Sequence, residues 1–285
     1  MKKITVLSFA IIGTIALFSI SSCKKVWDYI DDRHPDTKEK SRIDKIYYTE
    51  YFYDPKAELG SPGMLFNDTA EFKYDTKNQL IAVDYAAARA NLTPNVYPVL
   101  GLIFLYDNQG RLVAYFDEAL YYNQDEIGCQ FAHKYTYVND HYVIDSPFVY
   151  AGALLKDGKL VKVVGNHGYP EALYLTLDDK GRIIKEESDV YPAKMYTYDT
   201  NGNLVLPGVA YTNNKNIYQT DAVFKLITRN YSVNTPIGSA SEFNANKLPV
   251  KFNSGNLPFL VRNTYYNGQN DFYDKQNIRI TYTKP

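Results

Sequence analysis

Thiols are scarce in this chain. Its 285 residues include two cysteines, Cys23 and Cys129, so once Cys23 is lipidated, as argued below, no internal disulfide is left. A basic excess is missing too. Lys and Arg number 31 against 32 Asp and Glu, and nothing in that balance draws the chain to nucleic acid. Metal-ligand spacing is also lacking. His133, His141 and His167 form no zinc pattern, and Asp199, Asn201 and Asn203 lack the Gly position and the bidentate Glu of a calcium loop. No phosphate loop, nucleophile elbow or zinc-protease motif occurs. These absences exclude a disulfide-stapled scaffold, a nucleic-acid binder and the motif-defined enzyme classes. Neither a metal nor a cofactor is expected.

What is present is a repeat. Tyr106-Asp107-Asn108-Gln109-Gly110-Arg111-Leu112-Val113 recurs as Tyr198 to Val205, as Leu177 to Ile184 and as Tyr74 to Ile81, the last with Asn78 where the others have Gly. The pattern predicts a β-hairpin. The Asp carboxylate (Asp75, Asp107, Asp178, Asp199) accepts from a backbone N–H two residues on and opens a type I turn. Gly110, Gly181 or Gly202 takes positive φ and closes the loop as a bulge, and Asn78 takes the same conformation at modest cost. Apolar and β-branched residues begin the return strand. Degenerate copies lie at Tyr137 to Val143, with His141 at the Gly position, and at Leu155 to Val161, with a shorter loop. These hairpins resemble the YD-type hairpins of bacterial repeat proteins. Their uneven spacing favours one meandering sheet over a solenoid.

The N-terminus carries an address. Lys2 and Lys3 precede an apolar run, Ile4 to Ile20, and the run stops at Ile20-Ser21-Ser22-Cys23. Those four residues resemble the bacterial lipobox. The resemblance implies that residues 1–22 are a signal peptide and that Cys23 becomes the acylated N-terminus, a stable anchor because several chains are attached. The rival reading of the same run is an uncleaved membrane anchor. Residues 23–45 are dense in charge of both signs and predict a tether spanning on the order of 25 Å. Lys24-Lys25 after the cysteine is similar to Bacteroidota lipoproteins. An outer-membrane location follows, on the periplasmic face or at the cell surface.

Residues 46–285 predict a single β-rich domain, with the first strand candidate opening at Ile43. Strands are expected at Ile43 to Tyr53, Ala70 to Tyr74, Gln79 to Tyr85, Val99 to Tyr106 and Arg111 to Tyr122. Further strands are expected at Ile127 to Tyr137, His141 to Tyr150 and Ala153 to Leu155 paired with Lys159 to Val164. Then come Ala172 to Leu177, Arg182 to Val190, Lys194 to Tyr198 and Asn203 to Leu206. Asp221 suits the N-cap of a short helix carrying Val223, Phe224, Leu226 and Ile227, with Arg229 near its end, although a strand fits the same β-prone residues. Leu257 to Tyr266 and Asp271 to Tyr282 predict a last hairpin around Asn267-Gly268. The fold class is mainly β, an antiparallel meander in one strongly curved or barrel-like sheet with one late helix. The layout resembles a family of Bacteroidota lipoproteins without assigned activity, some described as porin-like or curved-sheet. A membrane-spanning barrel is disfavoured because charged runs such as Lys159 to Val164 interrupt any lipid-facing stripe.

Candidate chemistry is thin. Glu186-Glu187, Asp117-Glu118 and Asp125-Glu126 are adjacent on strands and point to opposite faces, so a facing carboxylate pair would have to come from separate strands. Cys129 and His133, four apart on a strand, share a face about 13 Å apart at roughly 3.3 Å per residue, which suits a buried Cys rather than a thiolate pair. Tyrosine is the compositional outlier, with 28 residues. Doublets on a strand expose one ring unless both faces are covered, so Tyr47, Tyr48, Tyr121, Tyr122, Tyr265 and Tyr266 are the candidate contact surface for a glycan or an envelope protein. Asp68-Thr69-Ala70 resembles the short Bacteroidota O-glycosylation motif. The expectation is a non-enzymatic binding or scaffold module held at the membrane by its lipid; the alternative is a carbohydrate-active hydrolase with carboxylates from separate strands.

Overall fold

In the computed structural model the described residues are 41–52, 64–85, 101–123, 125–157, 159–166, 171–252 and 273–284. They are mainly strand. Consecutive strands β1 (Arg42–Phe52), β2 (Met64–Tyr74), β3 (Leu80–Tyr85), β4 (Gly101–Tyr106), β5 (Leu112–Asn123), β6 (Glu126–Asn139) and β7 (Tyr142–Lys156) lie side by side as an antiparallel meander. β8 (Lys159–Asn166) pairs with the end of β7, whereas β9 (Leu173–Leu177) pairs with its beginning. The sheet continues through β10 (Ile183–Glu187) to β11 (Lys194–Met195). On the other side β1 pairs with the last strand, and the order runs on through β15 (Pro249–Phe252) to β14 (Ala240–Phe243). That last strand is β16 (Tyr273–Thr283). Among the described residues the path is open, with β11 at one end and β14 at the other, so the sheet is not closed into a barrel.

The repeated turns form as their chemistry dictates. In all four the Asp N–H donates to the carbonyl four residues on, and the Asp carbonyl accepts from the residue three on. The Asp Oδ1 accepts from the N–H groups two and four residues on, at 2.8–2.9 Å. Asn78, Gly110, Gly181 and Gly202 hold φ of 64°, 80°, 65° and 82°. A fifth copy is present without a Tyr-Asp signature. Asn244 takes the Asp role, with its side chain accepting from Asn246 and Leu248 at 3.0 Å, and Lys247 sits at φ 62°.

Four local departures from the expected layout occur. Residues 141–150 and 153–155 are one strand, because the β7 ladder to β6 runs unbroken from Val143 to Leu154. His141 does not take the positive-φ position; Asn139 pairs directly with Tyr142, leaving Asp140 and His141 as a two-residue loop. The fourth repeat closes only as a single bridge, Tyr198 to Leu204. Strand character also starts inside the expected tether, at Arg42, because Ile43 is fully buried and Arg42 lies over the Tyr74 ring.

Between Pro207 and β14 the chain crosses a covered face of the sheet. A short two-stranded ladder joins β12 (Tyr211–Lys215) to β13 (Asn234–Pro236). Between them lies α1 (Ala222–Thr228), capped by the Asp221 side chain, which accepts from the Val223 N–H at 2.9 Å. Val223, Phe224 and Leu226 bury against Phe72, Leu102, Phe104 and their neighbours, with Phe224 meeting Phe72 edge-on at 6.1 Å. Each such fully buried side chain contributes about 1.5–3 kcal/mol. β4 is apolar on both faces. Leu102 and Phe104 join the helix side, while Ile103 and Leu105 join a second core with Ala114, Phe116, Ala132 and Phe148.

Candidate functional site

The covered face brings together a group of ionisable residues from β6, β7, β10 and the end of α1. Asp145 on β7 is 0% exposed. Its Oδ1 lies 2.9 Å from Nδ1 of His133 on β6, and its Oδ2 accepts from Nη2 of Arg229 at 2.5 Å. Arg229 also donates from Nε to Oε2 of Glu186 at 3.0 Å and from Nη1 to the Leu226 carbonyl. It terminates α1 in the left-handed region, at φ 56°, which turns its side chain back across β7, β9 and β10. The imidazole of His133 lies flat on Tyr115, with ring centroids 4.7 Å apart and planes 8° from parallel.

The electrostatics follow from burial and partners. Burial by itself would raise the Asp145 carboxyl, but the charges and hydrogen bonds of His133 and Arg229 outweigh it and hold the group below its ordinary value. Burial opposes the Arg229 charge in turn, yet Tyr135, Asp145 and Glu186 together push its pKa up, so it stays protonated. Burial raises the phenols of Tyr115 and Tyr135 far above their usual range. The result is a buried polar clamp: a carboxylate shared between an imidazole and a guanidinium, with a second carboxylate completing the Arg fork.

Neither half of this cluster was legible as a site in the sequence. Asp145 was a strand residue among others and Arg229 the end of a helix, and their meeting spans 84 positions. Asp145 and Glu186 are carboxylates on separate strands that both contact Arg229. The geometry differs from an acid–base pair, because Arg229 stands between the two carboxylates and binds both.

The tyrosine doublets divide. Tyr47 is 42% exposed, while its neighbour Tyr48 is 3% exposed and donates from its hydroxyl to Oδ2 of Asp68 at 2.8 Å, so only Tyr47 offers a ring to a partner. Tyr121 and Tyr122 lie in the second half of β5, and their side chains are outside the described residues. Tyr265, Tyr266 and Cys23 are outside them as well. Thr69 of the Asp68-Thr69-Ala70 motif sits within β2, opposite Tyr47, with Ala70 fully buried beside it. Cys129 is on β6 and half-buried rather than fully buried: its Sγ lies 3.3 Å from the Ala151 carbonyl, and burial pushes its pKa up to about 12.

A surface not anticipated from sequence lies near the β11 end of the sheet. Val190, Tyr191, Met195, Val205, Leu206 and Ile237 are all largely exposed, Met195 at 65%. Backbone bonds from Val205 to Thr197 and from Ile237 to Ala210 tie three of the contributing segments together. Among the described residues no group of His, Cys, Asp and Glu is arranged to hold a metal ion. Compared with known proteins, the chain matches no protein-family model and no curated protein.

Proposed function

We propose that this chain is an outer-membrane lipoprotein, anchored through Cys23, whose β domain binds or scaffolds a glycan or another envelope protein without catalysing a reaction. One observation carries the non-catalytic part. Where carboxylates from separate strands converge, Arg229 stands between them and binds both, and Asp145 is held below its ordinary pKa. A glycosidase acid needs the opposite, a carboxyl raised in pKa and facing open space across from its partner. The clamp instead fastens α1 to β7 and β10, a structural use of charge. The anchor part of the reading is supported by the basic start, the apolar run and the residues Ile20 to Cys23.

Two measurements test it. Cys23→Ala should leave an uncleaved precursor that takes up no labelled fatty acid; label and gel mobility equal to wild type would refute the anchor. The mature protein should then be incubated with envelope and dietary polysaccharides, with retention and reducing ends assayed together. Saturable retention that falls on Tyr47→Ala or on Tyr121→Ala with Tyr122→Ala, without new reducing ends, is the expected result for a glycan ligand. Release of sugars would overturn the reading in favour of a hydrolase. Absence of both directs the search to a protein partner.

A further inference from the structure

All five Asp or Asn turns lie along one end of the sheet. The antiparallel order puts the turns at Asp75, Asp107, Asp178, Asp199 and Asn244 on the same side, and bonds between neighbours confirm it. Gln79 donates to the Gly110 carbonyl, and the hydroxyls of Tyr106 and Tyr198 reach the carbonyls of Leu80 and Ile183, the first residues of neighbouring return strands. The domain also begins and ends on this rim. Arg42 pairs with Thr283 and donates to the Asn78 side chain at 2.8 Å, and Ser41 accepts from the Asn246 side chain at 3.1 Å.

We propose that this rim is a lipid-facing surface that rests against the headgroups of the bilayer holding Cys23; the inference depends on the lipid-anchor reading above. The chain from Cys23 joins the domain at Ser41, 18 residues on, and as a coil that length spans on the order of 25 Å. The other end of the sheet is farther away than that. β6 alone has 14 residues, about 45 Å at the usual strand rise. The attachment point therefore holds the turn rim near the membrane and carries the opposite end away from it. The chemistry of the tips suits a headgroup layer. Lys77, Lys180 and Lys247 are exposed at three tips. The aspartates of the turns direct an oxygen inward to loop N–H groups, and Arg111 and Arg182 pair with two of them, while Asp179 and Asp199 stand exposed at the tips beside these lysines. Cations at a surface held this close to anionic lipid each add attraction.

The test uses the full-length lipidated protein in two kinds of vesicle, phosphatidylcholine alone and phosphatidylcholine mixed with phosphatidylglycerol. A donor dye is placed at Gln109→Cys or Asn201→Cys on the rim, or at Lys156→Cys at the far end of β7, and an acceptor in the headgroup layer. Every dye-bearing variant also carries Cys129→Ala, so that the introduced thiol is the one labelled. The expected result is energy transfer several-fold stronger from either rim position than from Lys156, and stronger on the anionic vesicles. Lys77→Glu, Lys180→Glu and Lys247→Glu together should lower transfer from the rim on anionic vesicles while leaving flotation with vesicles intact. Equal or stronger transfer from Lys156 would overturn the proposal, and this comparison alone decides the orientation should the triple variant fold poorly. Rim transfer unchanged in a folded triple variant would overturn the headgroup contact. A wild-type protein that takes up no fatty acid and does not float refutes the anchor reading instead, and the lipid-facing surface falls with it.

Discussion

Replacing Arg229 with Met removes a group that holds the end of α1 to two strands at once. The cost can be worked from the contacts. Asp145 is 0% exposed and would keep the His133 imidazole as its side-chain hydrogen-bond partner. Stranding a buried carboxylate in this way typically costs about 3–5 kcal/mol. Glu186 keeps 19% side-chain exposure and can turn to water, so its share is below about 1 kcal/mol. The Leu226 carbonyl loses one donor, worth about 1 kcal/mol. Met retains the stem volume and the left-handed backbone, so neither a large cavity nor strain relief confuses the outcome. Urea denaturation followed by circular dichroism should therefore show a loss of about 4 kcal/mol or more, a large part of the 5–15 kcal/mol that holds a typical domain folded. A loss under about 1 kcal/mol would refute the clamp. A second variant isolates the charge. Adding Asp145→Leu to Arg229→Met should recover a substantial part of the loss, because the stranded carboxylate is gone. The pH dependence has a fixed sign. Asp145 has a depressed pKa in the folded protein, so its contribution is complete above the unfolded value of about 3.9 and is lost as pH falls through the folded value. The gap between wild type and Arg229→Met should accordingly be full at neutral pH and narrow on acidification below about pH 4.

Gly110→Val and Gly202→Val should each destabilise by more than about 1 kcal/mol in the same assay, since φ of 80° and 82° disfavours a β-branched residue. Added Cβ atoms would also meet Gln79 and Val233 at 3.0 Å. An unchanged midpoint would contradict the turn assignment. Lys247→Gly should stabilise by about 1 kcal/mol, because Lys247 carries the same positive φ at a steric cost that Gly avoids; a lower midpoint would count against it. Native Cys129 should resist an aromatic disulfide reagent at pH 8 and react promptly in urea, because burial holds its thiol at about 12; fast reaction in the native state would place it at the surface.

The hairpin turns were legible because each is local. An Asp, a residue able to take positive φ and an apolar return strand lie within eight residues, and the hydrogen bonds that close the loop connect the same eight. The helix was half legible: Asp221 suits an N-cap, but Val223, Phe224 and Ile227 would serve a strand equally well, and packing against Phe72 decided the matter. The Asn244 turn was missed because Asn replaces Asp and Lys247 occupies a position that usually calls for Gly. The charge clamp was beyond reach for a different reason. Its members come from four elements, and nothing in the local spacing of His133, Asp145, Glu186 or Arg229 encodes their meeting.

The abundance of tyrosine looks like a binding surface in a composition table, and the structure assigns much of it elsewhere. Where a repeat opens on Tyr, its hydroxyl donates across to the backbone at the start of a neighbouring strand. Tyr74 reaches Ile43, Tyr106 reaches Leu80, Tyr137 reaches Leu112 and Tyr198 reaches Ile183, at 2.7–3.1 Å. Tyr282 extends the series to Pro249 at 2.6 Å. Three of these rings also lie under an arginine at 4.2–4.7 Å: Arg42 over Tyr74, Arg111 over Tyr137 and Arg182 over Tyr198. For Arg111 and Arg182 that arginine is the residue after the turn Gly and also pairs with the turn Asp. Ring, guanidinium and carboxylate therefore form one unit that fastens the Asp107 and Asp178 turns to their neighbours, with a hydrogen bond worth about 1 kcal/mol and a cation–π contact of about 0.5–1 kcal/mol. A Tyr used in this way is held by its hydroxyl and covered on a face, so it has little left to offer a ligand. Any contact surface has to be sought among residues outside the unit, such as Tyr47 and the apolar group around Met195.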